Sequence, residues 1–216
     1  MIFDAVFDMD GTLVDSAGQC EAIIDAMRAD RGVLEPVPLA LCKRYQGIRG
    51  EIMVPALLGD ATRDPVADVA EFRDRYAALE TTPDALYPGV VEGLERLTAA
   101  GVRLTICSAK PHRLVERVTE DTGIDRFFAA MVGGDVGVAC KPDPAHYRET
   151  LARVGGLVER SLLVGDSASD HELAANARVP FIFVTYGYSR PGEGLRGAAE
   201  AHDFASAVEA VMEFAS

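Results

Sequence analysis

Apolar and polar residues follow two spacings along this chain. A short apolar run ending at Phe7 predicts a first strand, and the next strand is predicted at Val102 to Ser108, entered from a helix around Val91 to Ala100 that Gly101 closes. Between them the apolar positions recur at helical spacing, as in Ala22, Ile23, Ala26 and Met27, or Val69, Phe72, Tyr76 and Leu79. Helices are expected from about Ser16 to Arg31, Leu39 to Tyr45, Glu51 to Leu58 and Val66 to Leu79. A structureless connection of that length would be improbable inside a compact domain, so the segment is expected to have a fold of its own.

From Gly101 onward strand and helix alternate. Val102 to Ser108 precedes a helix over Pro111 to Thr122, Phe127 to Val132 precedes Pro144 to Val154, and Ser161 to Gly165 precedes Asp170 to Ala177, with a further strand at Phe181 to Val184. This alternation predicts an α/β fold, a Rossmann-like doubly wound parallel sheet whose ligands sit beyond the carboxyl ends of the strands. The expected division is a core of residues 1–15 and 87–216 with a helical insertion over 16–86.

Composition narrows the function classes. About half of the 216 residues are apolar, enough for one sizeable core, and 34 acidic residues stand against 21 basic ones with no lysine or arginine cluster. Binding to a nucleic-acid backbone or an anionic membrane is therefore disfavoured. Cys20, Cys42, Cys107 and Cys140 are scattered without metal-ligand spacing, as expected of reduced thiols. With no basic leader and no long apolar run, a cytoplasmic monomer or homodimer is expected. His112, His146, His171 and His202 share no metal-ligand spacing and are expected to be exposed or structural.

The candidate chemistry lies at the strand ends. In Phe7-Asp8-Met9-Asp10-Gly11-Thr12-Leu13-Val14-Asp15-Ser16 two carboxylates stand one residue apart, and in extended backbone both look into one pocket while Gly11 lets the chain bend behind them. One carboxylate can attack phosphorus and the other can carry the proton. A calcium loop would need a Glu at its twelfth position, which here is Gln19. Ser108 ends the second strand and Asp166 another. Each alone could be a helix cap, but three such strand ends together point to a site.

The first run and the stretches Cys107-Ser108-Ala109-Lys110-Pro111, Lys141-Pro142-Asp143-Pro144 and Gly165-Asp166-Ser167-Ala168-Ser169-Asp170 resemble, in order, the four motifs of the haloacid dehalogenase-like (HAD) hydrolase superfamily. Val132-Gly133-Gly134-Asp135 and Thr185-Tyr186-Gly187-Tyr188 also resemble its phosphoglycolate phosphatase-like branch. The resemblance implies that Asp8 is a nucleophile forming an aspartyl-phosphate and Asp10 the acid and base. It implies Mg2+ held by Asp8, the Asp10 carbonyl and Asp166, with Asp170 a ligand or a neighbour of one. Ser108, Lys141 and backbone amides around Gly11, Thr12 and Ala109 would hold the phosphoryl oxygens. The insertion would be a cap closing over the site, with Lys110 either facing it or lying at the surface.

Arg49, in the loop between the second and third inserted helices, is the candidate for gripping a substrate carboxylate through its guanidinium fork. The expected substrate is a small phosphorylated metabolite, first of all 2-phosphoglycolate. Sugar-phosphate and nucleotidase-like phosphatases stay open. A beta-phosphoglucomutase-type mutase is disfavoured because Cys20 stands where that family has a histidine, and a dehalogenase because Asp10 is present. A receiver-like signalling module conflicts with the long insertion after the first strand. The Gly-rich stretch Gly187 to Gly197 is expected to be a loop near the pocket mouth.

Overall fold

A computed structural model describes residues 2–137, 139–189 and 194–216 of the chain. Six parallel strands form one sheet: β1 (Phe3–Phe7), β2 (Val102–Cys107), β3 (Phe128–Val132), β4 (Ser161–Gly165), β5 (Phe181–Val184) and β6 (Ala199–Ala201), in the order β3-β2-β1-β4-β5-β6. Strand order reverses between β1 and β4, and an open parallel sheet forms its binding crevice beyond the carboxyl ends at that switch. β1 is central, so its Ala5, Val6 and Phe7 are fully buried and the run carries no polar alternation.

The helices of the core are α5 (Val90–Ala99), α6 (His112–Thr122), α7 (Pro144–Ala152), α8 (Ala168–Ala177) and α9 (Phe204–Ala215). Phe7, Leu94, Leu97, Phe204 and Val208 pack in the larger apolar cluster, while Val6, Tyr147, Leu163 and Leu173 pack in a second one. The expected elements are present, with ends displaced by one or two residues. β6 and α9 were not anticipated. β6 is only three residues, Ala-Glu-Ala, with no β-branched side chain to mark it, and α9 follows this short strand rather than a recognisable apolar run.

Between β1 and α5 lie the four inserted helices, α1 (Ala17–Ala29), α2 (Leu39–Tyr45), α3 (Gly50–Leu58) and α4 (Pro65–Ala78). Asp64 caps α4, its Oδ1 accepting from the Val66 and Ala67 amides, and Pro65 occupies the first turn, where it sacrifices no helical donor. Ile24, Met27, Val54, Leu57, Val69 and Phe72 bury the inner faces. Arg31, just past α1, bridges to Asp68 and Glu71 of α4 at 2.7 Å each. The two connections to the sheet run side by side, the Asp15 amide donating to the Ala85 carbonyl at 2.8 Å and the Tyr87 amide to the Leu13 carbonyl at 3.0 Å. Among the described residues no helix is long and apolar enough to cross a membrane. Residues 190–193 of the expected loop from Gly187 to Gly197 lie outside the described residues.

Candidate functional site

Four aspartates meet beyond the carboxyl ends of β1 and β4. The Asp8 amide still donates to the Val164 carbonyl at 2.9 Å, so sheet pairing itself fixes the start of the loop. Asp8, Asp10, Asp166 and Asp170 are all buried. Asp8, Asp166 and Asp170 each place an oxygen within 4.8 Å of the others, and the donor set is hard and anionic, as a divalent cation requires.

Two glycines make room for this crowd. Gly11 has φ +90°, and a side chain at Gly11 or at Gly187 would collide with the Asp166 carboxylate. The Tyr188 amide holds Asp166 Oδ2 at 2.6 Å, and the Ser189 hydroxyl donates to the Asp166 carbonyl. Asp170 is fixed by the start of α8, where its Oδ2 accepts from the Ser167 amide at 3.1 Å and the Ser167 hydroxyl at 2.5 Å.

Two lysines answer the four carboxylates. Lys141 Nζ donates to Asp8 Oδ1 and Asp170 Oδ1 at 2.6 Å each. Lys110 Nζ lies 3.1 Å from Asp10 Oδ1, which also accepts from the Ser16 hydroxyl at 2.6 Å. Two negative charges remain uncompensated by these ammonium groups, matching one divalent cation. The electrostatics record the shortage: burial, offset in part by Lys141 and reinforced by Asp170, pushes the Asp8 carboxyl up to about 7. Burial and the neighbouring Asp8 and Asp170 hold Asp166 well above the usual carboxylate range. Burial pulls the Lys141 ammonium down, but Asp170 and Asp8 outweigh it and the group stays charged.

Above the carboxylates a cleft runs between the sheet and the inserted helices. Asp8, Asp10, Ser108, Ala109, Lys110 and Lys141 line its floor, and Gln46, Met53, Phe72, Arg73 and Tyr76 line its roof. Ser108 is buried, its amide donating to the Val132 carbonyl at 3.0 Å. The Thr12 hydroxyl is buried without a hydrogen-bond partner among the described residues.

The structure thus brings together Asp8, Asp10, Gly11, Thr12, Ser108, Ala109, Lys110, Lys141, Asp166 and Asp170, ten of the eleven residues expected from sequence. Lys110, left open between facing the insertion and the surface, reaches Tyr76 of α4. The structure does not bring Arg49 to the cleft: its side chain is 62% exposed at the start of α3, 3.7 Å from Glu51. The cleft arginine is Arg73, whose guanidinium donates to Glu51 at 2.8 Å. Ser16, Tyr76 and Tyr188 carry no role on sequence grounds alone, and Gln46 stands out only as one polar residue of the loop that also holds Arg49. For Ser16 and Tyr188 the signal was their place inside the quoted motifs. Gln46 and Tyr76 show only helical or loop spacing, which does not separate a lining residue from core.

The sequence model of the haloacid dehalogenase-like hydrolases matches residues 5–178. A phosphoglycolate phosphatase from Agrobacterium fabrum is 36% identical over 97% of this chain and 92% of its own length. A phosphoglycolate phosphatase from Caulobacter vibrioides is also 36% identical, over 92% of this chain and 86% of its own. A solved structure described as a predicted phosphoglycolate phosphatase from Haemophilus somnus 129pt superposes with a TM-score of 0.84 at 27% identity, covering 97% of each chain. Family match, length-wide identity and the shared sheet agree with the carboxylate cluster at the strand ends: the chain belongs to the haloacid dehalogenase-like hydrolase family, within its phosphoglycolate phosphatase-like branch, and is a phosphatase.

Proposed function

We propose that the chain hydrolyses a small phosphomonoester, 2-phosphoglycolate before others, through a covalent phosphate on Asp8. The observation that carries this reading is the placement of Asp8. Its carboxylate is buried at the cleft floor beside Lys141, which supplies the positive charge that an approaching phosphoryl group needs. Attack by one carboxylate oxygen on phosphorus expels the alcohol and leaves an acyl phosphate, which water then hydrolyses.

Asp10 is placed for the proton. Both of its contacts, from Ser16 and Lys110, fall on Oδ1. Oδ2 has no hydrogen-bond partner among the described residues, so it can protonate the departing alkoxide and then take a proton from the attacking water. Ser108, the Thr12 hydroxyl and the Ala109 amide are the donors for the non-bridging oxygens; the amides of Gly11 and Thr12, also expected there, are instead given to the Val14 and Met9 carbonyls within the turn. Lys141 orients Asp8 and balances Asp170 at once.

Mg2+ fits the donor set, with Asp8, the Asp10 carbonyl, Asp166 and Asp170 as its holders. Bound there, it would supply charge that offsets the repulsion between a carboxylate and an anionic phosphate. The inserted helices roof the cleft and act as a cap that limits water around the reacting centre.

The phosphoglycolate phosphatases similar to this chain support the substrate choice. The cleft agrees with a small polar leaving group: Lys110 and Arg73 line it, paired with Asp10 and Glu51, beside the apolar Met53 and Phe72. Cys20 also lines the cleft, and its hydrogen bond with Cys42, reinforced by burial, pushes its thiol up and keeps it protonated, which suits a hydrolase better than a mutase needing a second acid and base there. The test is a panel of phosphomonoesters with Mg2+, comparing kcat/KM for 2-phosphoglycolate, nucleoside monophosphates and sugar phosphates. Preference for 2-phosphoglycolate is expected. A nucleotide or sugar phosphate turned over at least tenfold faster would replace it.

A further inference from the structure

We propose that Tyr76, on α4, is a positioning residue for Asp10 and acts through Lys110. The proposal rests on the acid and base role given to Asp10 above. Lys110 belongs to the core and Tyr76 to the inserted helices, yet Lys110 Nζ lies 2.8 Å from the Tyr76 hydroxyl and 4.0 Å from the centroid of its ring. The same ammonium is 3.1 Å from Asp10 Oδ1. Lys110 therefore has one fixed place, set from one side by a phenol and from the other by the carboxylate that handles the proton.

The phenol is itself held in place. Its oxygen accepts from Lys110 and its proton goes to Gln19 Oε1 at 3.0 Å, so both hydrogen-bonding roles are used. Gln19, in the first turn of α1, donates to the buried Thr81 hydroxyl at 3.2 Å. Thr81 lies in the return connection, and its amide donates to Asp121 of α6 at 3.1 Å. Residues beside both connections to the insertion thus feed one chain of hydrogen bonds that ends on Asp10.

The chemical consequence follows from which oxygen is restrained. Lys110 and Ser16 hold Oδ1, which leaves Oδ2 to serve the leaving group. With the inserted helices seated, Tyr76 keeps Lys110 over Asp10. When they move away, Lys110 loses its outer partner and Asp10 loses the restraint. Proton delivery is thereby tied to a roofed cleft, and a misplacement of about 1 Å in such a group is worth up to about a hundredfold in rate.

Tyr76→Phe keeps the ring, its packing and the cation–π contact while deleting the hydroxyl. The readout is the rate of alcohol release in a single turnover, measured with the best alkyl phosphomonoester of the panel and with p-nitrophenyl phosphate, whose leaving group needs no proton. We expect a fall of about tenfold for the alkyl ester and less than about twofold for the aryl ester. In a Lys110→Met background Tyr76→Phe should cause no further loss, since the two residues act as one unit. Equal losses on both esters, or losses that add across the two variants, would overturn the proposal. Asp10→Asn is run alongside: if it shows the leaving-group dependence and Tyr76→Phe does not, this inference fails alone, and if Asp10→Asn shows none, the acid and base role fails first.

Discussion

β1 carries one buried aspartate, Asp4, and is followed at once by another, Asp8, and the two ends of the sheet treat them in opposite ways. Asp4, at the amino end, meets a bidentate guanidinium: Arg103 Nε and Nη2 donate to its two oxygens at 2.6 and 2.9 Å, and Nη1 continues to the Val154 carbonyl at 2.6 Å. Asp8, at the carboxyl end, shares a single ammonium with Asp170 and has Asp166 beside it. One end closes its charges within the protein, whereas the other leaves two negative charges for something that binds. Burial of a carboxylate alone therefore says little about function. The useful quantity is how many cations and donors remain after every neighbour has been paired.

The sharpest way to break this comparison is to make the same substitution at both ends. Asp8→Asn should lower kcat by at least about 10³-fold while the melting temperature holds or rises, because an under-compensated buried charge is removed along with the nucleophile. Asp4→Asn should leave kcat per folded molecule unchanged and cost about 2 kcal/mol in denaturant unfolding, since Arg103, with its side chain 22% exposed, regains part of its hydration. Near-normal turnover by Asp8→Asn would remove the covalent route. Impaired chemistry in Asp4→Asn would show that the two ends are not independent.

Metal removal probes the uncompensated charge directly. Dialysis against a chelator should abolish turnover, and Mg2+ should restore it. Added Mg2+ should also raise stability in the absence of substrate, by about 2.7 kcal/mol at a concentration a hundredfold above its Kd. Asp4→Asn should show the same increment and Asp166→Asn should lose most of it. Calorimetric scans with and without the ion read both results, and an increment unchanged in Asp166→Asn would place the ion elsewhere.

Much of this asymmetry could be read from residues in order. Continuous apolar runs marked the central strands because both faces of β1 and β4 are covered, and Asp8, Ser108 and Asp166 stood out because polar residues ending such runs must reach the same edge of a parallel sheet. Lys141 was legible only through its motif setting, since no strand precedes it directly. What sequence did not show was the roof. Gln46, Arg73 and Tyr76 face the cleft because of how α1 to α4 pack, and their spacing is the same as that of residues filling the core. Arg49 looked suited to a carboxylate by residue type, yet one turn of backbone sends it to solvent beside Glu51. The pairing of Asp4 with Arg103 joins residues 99 positions apart and is set by strand register, Asp4 lying opposite Arg103 across β1 and β2.

A smaller effect separates the ends by pH. His146 on α7 is fully buried, neither ring nitrogen has a hydrogen-bond partner of normal geometry among the described residues, and burial together with the charge of Lys141 pulls its pKa from 6.5 to about 4. The unfolded chain takes up a proton below about 6.5 and the folded chain does not until about 4, so stability present above 6.5 is lost as pH falls through that window. His146 should contribute a loss of about 2 kcal/mol between pH 7 and pH 5; the raised Asp8 and Asp166 carboxyls act in the opposite sense over the same range, so the His146 share is the difference between the wild type and His146→Gln. Urea titrations of both chains at pH 7 and pH 5 measure it, and an identical pH response in the two would show that His146 contributes nothing.

The smallest expected effect comes from exchanging one cation for another at the closed end. Arg103→Lys keeps the positive charge beside Asp4 but gives up the planar fork, and a lysine cannot grip both carboxylate oxygens and the Val154 carbonyl in the same geometry. Asp4 keeps a counter-ion, so no buried charge is orphaned and the cost should be only about 1 kcal/mol, or about 2–4 °C in melting temperature for a chain of this size. kcat and KM should stay at their original values. If this conservative exchange slowed turnover, strain at the amino end would be reaching Asp8 along β1, and the sheet would have to be treated as one electrostatic unit rather than as a paired end and an open one.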